Sequence, residues 1–353
     1  MDIKVEKFRK SLKEKGLDSA IVFKPENRRY LSKFSGSSGY VVITEDKNIF
    51  ITDFRYVQQA FDECKGFEII QHTNDKTIYD ILNGLCINKL GFEDEFVTVS
   101  QYNEFIEKLN DIHFTPLKDT LNRLRAIKDE DEIDEIRKAA HIADKTFEYI
   151  CSILKAGITE WEVALEIENF MKKKGAAGTA FKSIVASGKR ASLPHGVASH
   201  KVIEEGDFVT LDFGCIYNGY CSDMTRTVVI GKATDRQKEI YNIVLEAQEA
   251  VLGFIKPGIT GYDADKIARD IIKAKGYGDY FGHGLGHGVG LEVHELPKLS
   301  PLGKDTLQAN MVVTDEPGIY LPDFGGVRIE DLIVVTENGC EVLSKSPKHL
   351  IEL

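Results

Sequence analysis

The segment FGHGLGHGVGLEVHE, residues 281–295, places His283, His287 and His294 on a glycine-rich backbone that ends in a glutamate. Such a segment is either a loop with solvated histidines or a backbone that lies close to a bound ligand. No GxGxxG or GxxxxGKS/T pattern occurs in the chain, so a nucleotide phosphate lacks its usual glycine loop. His283 and His287 have the spacing of a zinc-binding helix, but no glutamate follows His283 and the glycines disfavour a helix. The chemistry of this segment therefore depends on residues elsewhere in the chain.

Four acidic residues interrupt apolar segments that are predicted to be strands. They are Asp212 in FVTLDFGCI, Asp223 in YCSDMTRTVVI, Glu316 at the end of MVVTDE and Glu330 in VRIEDLIVV. Because an unpaired carboxylate in an apolar strand is costly, these acids are expected to share a cation, with His287 as a plausible fifth ligand. Carboxylates combined with one imidazole suit Mn²⁺, Co²⁺ or Fe²⁺, with Zn²⁺ as an alternative.

Two of these acids are expected to face each other across a hairpin. The dipeptide at 218–219, Asn-Gly, is typical of a two-residue turn, which pairs Tyr217 with Tyr220. In that register Asp212 is diagonal to Asp223 on the same face, roughly 7–8 Å away between Cα atoms. A bulge would change this register, and the alternative for the pair is that both carboxylates point to water.

The second half of the chain contains an internal repeat. LKAGITEWEVA (154–164) and IKPGITGYDAD (255–265) match in register, each with a helix end, a glycine turn and a threonine N-cap. A looser match further along sets Asp212 opposite Glu316. Two similar halves around a pseudo-twofold axis are therefore predicted, with a site at the axis that takes residues from both.

The elements that position these residues fall into two predicted domains, 1–120 and 121–353. The first is a small α/β domain, and the second begins with a long amphipathic helix after a capping box at Asp129 and Glu132. In the first domain, strands are predicted at 18–23, 40–44, 48–53 and 67–71, and helices at 4–15, 57–63 and 99–109.

Composition excludes several classes of protein. The 353 residues carry a net charge of −11, which argues against nucleic acid or an anionic membrane as a partner. No run of eighteen apolar residues occurs, and the first residues lack the apolar core of a signal peptide. The six cysteines form no CxxC pair, which predicts reduced thiols and a cytoplasmic location.

The acids and histidines occur in the order and local sequence of a known family. The chain resembles the dinuclear metallopeptidases with the pita-bread fold, and in particular their Xaa-Pro branch, aminopeptidase P and prolidase. The matching segments are HGLGHGVGLEVHE, TDEPGIY, LDFG with SDMTRT, and GVRIEDLIVVTENG. YLSKFSGSSG and ITDFRYVQQA resemble the creatinase-type N-terminal domain. The resemblance implies an α+β fold, with a pita-bread C-terminal domain of two pseudo-twofold halves after a smaller α/β N-terminal domain.

The resemblance also implies a role for each metal-binding residue. Asp212 would bind one of two divalent ions, and His287 and Glu316 the other, while Asp223 and Glu330 bridge them. Mn²⁺ is the expected metal, with Co²⁺, Fe²⁺ and Zn²⁺ as alternatives. The ions would activate a water molecule for attack on the peptide carbonyl, and Glu316 would pass a proton to the leaving nitrogen.

Further roles are implied for residues around the metals. His195, His283 and His294 would line the pocket and bond the substrate carbonyl, with a solvated or backbone-bonded loop histidine as the alternative for each. His294 is expected on the strand-like segment LEVHE. Arg328 lies two residues before Glu330 and is expected on the same face of one strand. It would support Glu330 and the bridging acid without binding the metal itself.

The expected function is that of an Xaa-Pro aminopeptidase, which releases the N-terminal residue from peptides with proline second. The N-terminal sequence favours this over the alternative, a prolidase restricted to Xaa-Pro dipeptides. A prolidase needs a cation for the free proline carboxylate, and Lys298 occupies the position at which some relatives have an arginine. A more remote alternative is a non-catalytic pita-bread module that binds proteins. The expected partners are proline-containing peptides and a second copy of the chain in a homodimer.

Overall fold

The structure, a computed structural model, describes residues 3–109 and 111–353. Its internal contacts divide the chain into two compact units, Met1–Arg125 and Ala126–Leu353. Within the described ranges, no helix is both long enough and apolar enough to cross a membrane.

The N-terminal unit is built from helices around one mixed sheet. Its helices are α1 (Ile3–Glu14), α2 (Pro25–Ser32), α3 (Val57–Glu63), α4 (Ile78–Asn83), α5 (Val99–Lys108) and α6 (Thr120–Ala126). Its strands are β1 (Ser19–Val22), β2 (Tyr40–Thr44), β3 (Asn48–Thr52), β4 (Glu68–Gln71), β5 (Lys89–Phe92) and β6 (His113–Pro116). The sheet has the order β4-β3-β2-β1-β5-β6.

The central strands of this sheet are apolar on both faces. Ile49, Phe50 and Ile51 are consecutive in β3 and all are fully buried. A strand that is covered on both faces has a continuous run of apolar residues in its sequence, rather than an alternation of apolar and polar residues. The predicted helices and strands of this unit are confirmed, with ends that differ by at most one residue.

The C-terminal unit contains longer helices and several small sheets. Its helices are α7 (Glu130–Ile153), α8 (Glu160–Lys173), α9 (Asp235–Phe254) and α10 (Gly261–Ala274). Its strands are β7 (Gly178–Thr179), β8 (Ile184–Ser187), β9 (Phe208–Phe213), β10 (Cys215–Tyr217), β11 (Tyr220–Cys221), β12 (Met224–Val229), β13 (Gly286–Gly288), β14 (Glu295–Leu299), β15 (Val312–Asp315), β16 (Gly318–Leu321), β17 (Gly325–Arg328), β18 (Asp331–Val335) and β19 (Cys340–Val342). The sheets have the orders β12-β9-β8, β11-β10-β7, β14-β13-β15-β18-β19 and β16-β17.

The long helix α7 begins as the sequence predicts. The Asp129 side chain accepts from the Glu132 amide, and the Glu132 carboxylate accepts from the Asp129 amide, so the capping box is confirmed. The apolar face of α7 is buried, including Ile136 and Ile150. It packs against α8, while α9 packs against α10 in the second half of the unit.

The two halves of this unit repeat the same local structure. Thr159 and Thr260 are the N-caps of α8 and α10, and each forms a capping box with an acidic residue three positions later, Glu162 or Asp263. The glycine two residues before each threonine, Gly157 or Gly258, has a positive φ, and its amide donates over 2.9 Å to a carbonyl of a later segment in the same half. The predicted internal repeat is therefore confirmed at both helix starts.

Strand pairing extends the repeat into the sheets. Val209 of β9 pairs with Ser187 of β8, and Val313 of β15 pairs with Gly288 of β13 in the other half. Because Ala186 precedes Ser187 as His287 precedes Gly288, the second half has an imidazole where the first half has a methyl group.

Candidate metal centre

A cavity of about 420 Å³ in the C-terminal unit contains every residue that the sequence predicts for the site. Its walls include the five expected ligands and the four other expected site residues: Asp212, Asp223, His287, Glu316, Glu330, His195, His283, His294 and Arg328. These residues come from both halves of the repeat and from segments separated by more than a hundred positions, so the fold converts dispersed motifs into one site.

The hairpin of the first half positions the two aspartates as expected. Tyr217 pairs with Tyr220 around the Asn-Gly turn, and β9 pairs with β12 so that Asp212 lies opposite Thr225. The same register holds on both sides of Gly214, where a Cβ would lie 1.8 Å from the carbonyl oxygen of Ser222. Only glycine permits this approach, which divides the predicted single strand into β9 and β10 and keeps Asp212 and Asp223 on one face.

The glycine run of the second half lets the backbone pack tightly around His287. A Cβ on Gly286 would lie 2.2 Å from the Thr314 carbonyl oxygen, and a Cβ on Gly288 would lie 2.1 Å from that of Leu296. Both flanking positions of His287 therefore exclude any side chain. This explains why an imidazole at the site is set among glycines.

His287 is held between acidic residues from both halves. Its Nε2 lies 3.3 Å from Glu316 Oε1 and 3.7 Å from Asp223 Oδ2, while Nδ1 lies 3.1 Å from the Gly288 carbonyl oxygen. Asp223, His287 and Glu330 each offer one atom, and these three atoms lie within 4.8 Å of one another. This spacing allows all three to bind a single ion.

Hydrogen bonds from threonines orient two of the other acids. Thr225 Oγ1 donates to Glu330 Oε2 over 2.7 Å, and Thr314 Oγ1 donates to Glu316 Oε1 over 3.2 Å. Each carboxylate is thereby fixed through one oxygen. Groups that orient ligand side chains in this way are typical of metal sites.

Two of the buried carboxylates each have one oxygen without a hydrogen-bond partner among the described residues. Among the described residues, Asp212 Oδ1 and Asp223 Oδ1 are buried without a hydrogen bond. Burial, reinforced by Asp212, raises the pKa of Asp223 well above its usual value, and burial with the Asp223 charge does the same to Glu330. These acids cannot all be ionised together without added positive charge. The orphaned oxygens and the mixed carboxylate and imidazole donors fit divalent cations.

His287 and Glu316 form a charged pair in the absence of metal. Burial alone lowers the pKa of His287, but the hydrogen bond and charge of Glu316 outweigh it and raise this pKa to about 9. Burial alone raises the pKa of Glu316, but His287 outweighs it and lowers this pKa to about 2. A metal ligand must be a neutral imidazole, so an ion that binds His287 displaces its proton.

Arg328 is buried, and it contacts one of the acids directly and another through a threonine. It donates to Asp212 Oδ2 over 2.5 Å and to Thr225 Oγ1 over 3.0 Å. The expected support of Glu330 is thus indirect, through Thr225, and the direct contact is with Asp212. The expected single strand through both residues is wrong: β17 ends at Arg328 and β18 begins at Asp331, in different sheets. Glu330 lies in the connection, where it can turn into the cavity.

His283 lies in a hydrogen-bond chain that the sequence analysis did not predict. Arg328 Nη1 donates to the Tyr320 hydroxyl over 2.7 Å, and this hydroxyl lies 2.8 Å from His283 Nε2. Because the hydroxyl accepts from the guanidinium, its own proton points to Nε2, and Nδ1–H donates to the Gly284 carbonyl at 2.8 Å. Burial lowers the pKa of His283, in agreement with a neutral ring. Both ring nitrogens are therefore occupied within the protein.

His294 and His195 also line the cavity, but at its exposed side. The rings of His294 and His287 are 4.2 Å apart between centroids. Partial desolvation and the neighbouring His287 lower the pKa of His294, which favours a neutral donor. The expectation of a strand at His294 is wrong, since residues 291–294 form a bend and β14 begins at Glu295. The β13–β14 register shifts between His287 and Gly288, which gives the chain room for this bend.

Four contributors to the site were missed from the sequence. Thr314 and Tyr320 are the first and last residues of TDEPGIY, Thr225 lies in SDMTRT, and all three belong to recognised motifs. Their position beside acidic residues was the available indication. Lys182 lines the cavity as well, but it lies in no motif. The expected carboxylate-binding candidate, Lys298, is exposed and is not part of the cavity wall among the described residues.

The fold and the site together are those of a metal-dependent hydrolase, and both parts of the chain match known protein families. Residues 134–337 match metallopeptidase family M24, and residues 4–127 match the creatinase/prolidase N-terminal domain. The chain belongs to metallopeptidase family M24, with the pita-bread fold in its C-terminal domain.

Individual relatives are similar over almost the whole chain. The structure of an Xaa-Pro dipeptidase from Bacillus anthracis is 50% identical, with a TM-score of 0.96 and coverage of 99% of both chains. The Xaa-Pro dipeptidase of Pyrococcus furiosus is 43% identical over 99% of this chain and 100% of its own length. The structure of an X-Pro aminopeptidase from Thermotoga maritima MSB8 is 41% identical, with a TM-score of 0.91, over 98% of this chain and 100% of that chain.

Proposed function

We propose that this protein hydrolyses Xaa-Pro dipeptides with two divalent metal ions, as a prolidase. The observation that carries the proposal is the convergence of four acids and His287 on one cavity, with buried carboxylate oxygens that lack partners. The names of the Bacillus anthracis and Pyrococcus furiosus relatives support the dipeptidase alternative better than the aminopeptidase expected first from the sequence.

The proposed ligands are Asp212, Asp223, His287, Glu316 and Glu330. When bound, two divalent ions would polarise the scissile carbonyl and lower the pKa of a water molecule. Mn²⁺ is the proposed ion, because carboxylates outnumber the single imidazole, and Co²⁺, Fe²⁺ and Zn²⁺ are the alternatives.

The chain itself orients the acids and stabilises developing charge. Arg328 holds Asp212, and Thr225 holds Glu330, so that each presents a defined oxygen to the cavity. His195 and His294 donate to the substrate carbonyl oxygen as it gains negative charge, which contributes most in the transition state. His283, with both nitrogens occupied, positions this wall of the cavity through Tyr320.

Glu316 is the proposed proton carrier. Its carboxylate faces the cavity beside His287 and accepts from Thr314, so one oxygen is fixed while the other can exchange a proton. The nitrogen of proline leaves as a secondary amine and must receive a proton when the peptide bond breaks. Since proline has no N–H and a fixed φ, a dedicated site is required for it.

An aminopeptidase that accepts longer peptides is the second candidate. It is supported by the similarity to the X-Pro aminopeptidase from Thermotoga maritima MSB8. The two candidates differ only in whether the proline residue carries a free carboxylate or is followed by further residues. We also propose a homodimer, which light scattering of the purified protein tests.

The decisive experiment compares substrates on the Mn²⁺-loaded protein. Ala-Pro, Ala-Pro-Ala and a longer peptide with proline second are incubated separately, and products are identified by mass, with Ala-Ala as a control. Rapid cleavage of Ala-Pro with slow cleavage of the longer peptides is expected. EDTA should abolish this activity and Mn²⁺ or Co²⁺ should restore it. Equal or faster cleavage of the longer peptides assigns the aminopeptidase function, and activity in a metal-free sample contradicts both.

A further inference from the structure

Lys182 is a cationic side chain on the cavity wall that the proposed metal chemistry does not use. It lies in the irregular segment between β7 and β8, is exposed, and lines the cavity together with the metal ligands. Within residues 3–109 and 111–353, no hydrogen bond or ion pair engages its ammonium group. A cation at this place is available to a substrate.

The other permanent cation of the cavity wall is already engaged. Arg328 donates to Asp212, Thr225, Tyr320 and the Pro194 carbonyl, at distances of 2.5–3.2 Å. Its guanidinium is buried and four of its five N–H donors are engaged, so it cannot offer an incoming carboxylate a pair of hydrogen bonds. Among the lysines and arginines of the described cavity wall, Lys182 is therefore the one that can bind a substrate anion.

We infer that Lys182 binds the free carboxylate of the proline residue in an Xaa-Pro dipeptide and thereby selects dipeptides. The inference rests on the proposed function and names the residue that sets its substrate class. In a dipeptide the carboxylate lies on the proline itself, whereas in a longer peptide an uncharged amide takes its place. A charge-assisted hydrogen bond distinguishes these two groups, and a lysine ammonium can form one with a carboxylate.

The apolar residues around Lys182 fit the pyrrolidine ring of the proline that leaves on hydrolysis. Phe181 precedes it and Ile184, the first residue of β8, follows it; both line the cavity, as does Val197, which forms a backbone bridge with Ile184. These apolar side chains offer a surface to the pyrrolidine ring beside the cation. An apolar wall with one charged group at its side matches proline, which has an apolar ring and one carboxylate.

Lys298 is the competing candidate for this role. It pairs with His287 across β13 and β14, which places it near the site, but it is exposed and lies outside the described cavity wall. Because both lysines are exposed, the same substitution at each is a matched pair. Lys182→Met and Lys298→Met keep an apolar stem of similar length and remove only the charge.

The test compares Ala-Pro with its amide, Ala-Pro-NH₂, on the Mn²⁺-loaded wild type and the two variants. Lys182→Met is expected to raise KM for Ala-Pro on the order of 10–100-fold, with little change in kcat, because a charge-assisted hydrogen bond is lost. KM for the amide should stay at the wild-type value, and Lys182→Arg should restore dipeptide binding. Lys298→Met should leave both substrates unchanged.

A second readout uses the product. Calorimetry should show that proline binds the wild type more tightly than prolinamide, and that Lys182→Met removes the difference. An unchanged preference for Ala-Pro over its amide in Lys182→Met overturns the inference, as does a loss of preference in Lys298→Met instead. Those outcomes leave the proposed function standing, because the wild type still cleaves Ala-Pro. A wild type that cleaves no Xaa-Pro substrate refutes the proposed function itself.

Discussion

The guanidinium of Arg328 lies 2.5 Å from Asp212 Oδ2, in a contact between strands of the two halves of the C-terminal unit. Both residues are buried, and the other Asp212 oxygen has no partner among the described residues. The arginine thus fixes one oxygen of the acid and leaves the other directed to an ion. This relationship allows ligand orientation to be tested separately from ligation.

Arg328→Met should reduce kcat/KM by about 10–100-fold, because Asp212 is no longer oriented. In the metal-free protein it should also lower stability by about 3–5 kcal/mol, since a buried carboxylate is left unpaired. Mn²⁺ should recover part of this loss by supplying positive charge. Thermal unfolding with and without Mn²⁺ measures the difference, and Arg137→Met, at an exposed ion pair on α7, is the control. Equal destabilisation with and without Mn²⁺ contradicts the orienting role.

Asp223→Asn should abolish metal binding without destabilising the metal-free protein. The substitution keeps the shape of the side chain and removes a carboxyl group whose pKa is raised, first by burial and then by the Asp212 charge, so that its ionised form is disfavoured without metal. We therefore expect the melting temperature of the metal-free variant to match or exceed that of the wild type, while activity falls by more than about 100-fold, beyond the loss typical of a residue that only orients a ligand.

The measurements for Asp223→Asn are metal content after dialysis and thermal unfolding with added Mn²⁺. Mn²⁺ should raise the melting temperature of the wild type, because it binds only the folded state, and should have little effect on the variant. Asp270→Asn, at an exposed pair on α10, should respond to Mn²⁺ like the wild type. A variant that retains two ions per chain is incompatible with a bridging role for Asp223.

His294→Ala should lower kcat on the order of 10²–10³-fold, the typical loss for one donor to a developing oxyanion. Metal content should remain near the wild-type value, because His294 is not a proposed ligand. His195→Ala should behave in the same way. His200, which lies near Trp161 and outside the described cavity wall, serves as the control. Turnover that falls only in proportion to lost metal would show that the assignment is wrong.

Tyr320→Phe should break the chain between Arg328 and His283 without removing either. Arg328 keeps its other partners, but His283 Nε2 loses the donor that holds it in place. We expect a loss of about 1–3 kcal/mol in stability from the unsatisfied groups, and a fall in kcat/KM with metal content retained. Tyr149→Phe, which removes a hydroxyl bonded to Glu166 on the helical surface, is the matched control. Equal effects of both substitutions would assign Tyr320 a purely structural part.

Local features of the fold were predictable from the sequence because each depends on neighbouring residues. The caps at Asp129, Thr159 and Thr260 follow from side chains three residues apart, and the Asn-Gly turn fixes the Tyr217–Tyr220 pair. The proposed metal ligands among the acids could be recognised because a charged residue within an apolar strand is unusual.

The remaining features depend on how separate strands meet. The contacts of Tyr320 with His283 and Arg328 join the glycine-rich segment before β13 to β16 and β17, and no local pattern specifies them. Arg328 and Glu330 were assigned to one strand because apolar residues surround them and no glycine or proline separates them, whereas partner strands from two sheets divide the segment. Lys182 could not be singled out because a lysine in an irregular segment is usually solvated.

His287 occupies the position in the second half that Ala186 occupies in the first half, so the proposed metal centre is not symmetric. If the two halves were identical, a site at their axis would present the same groups to a peptide bound in either direction. Here one side carries an imidazole and the other does not, so the amino and carboxyl ends of a bound peptide would meet different surroundings. A scaffold of near-twofold symmetry can in this way distinguish the two directions in which a peptide could bind.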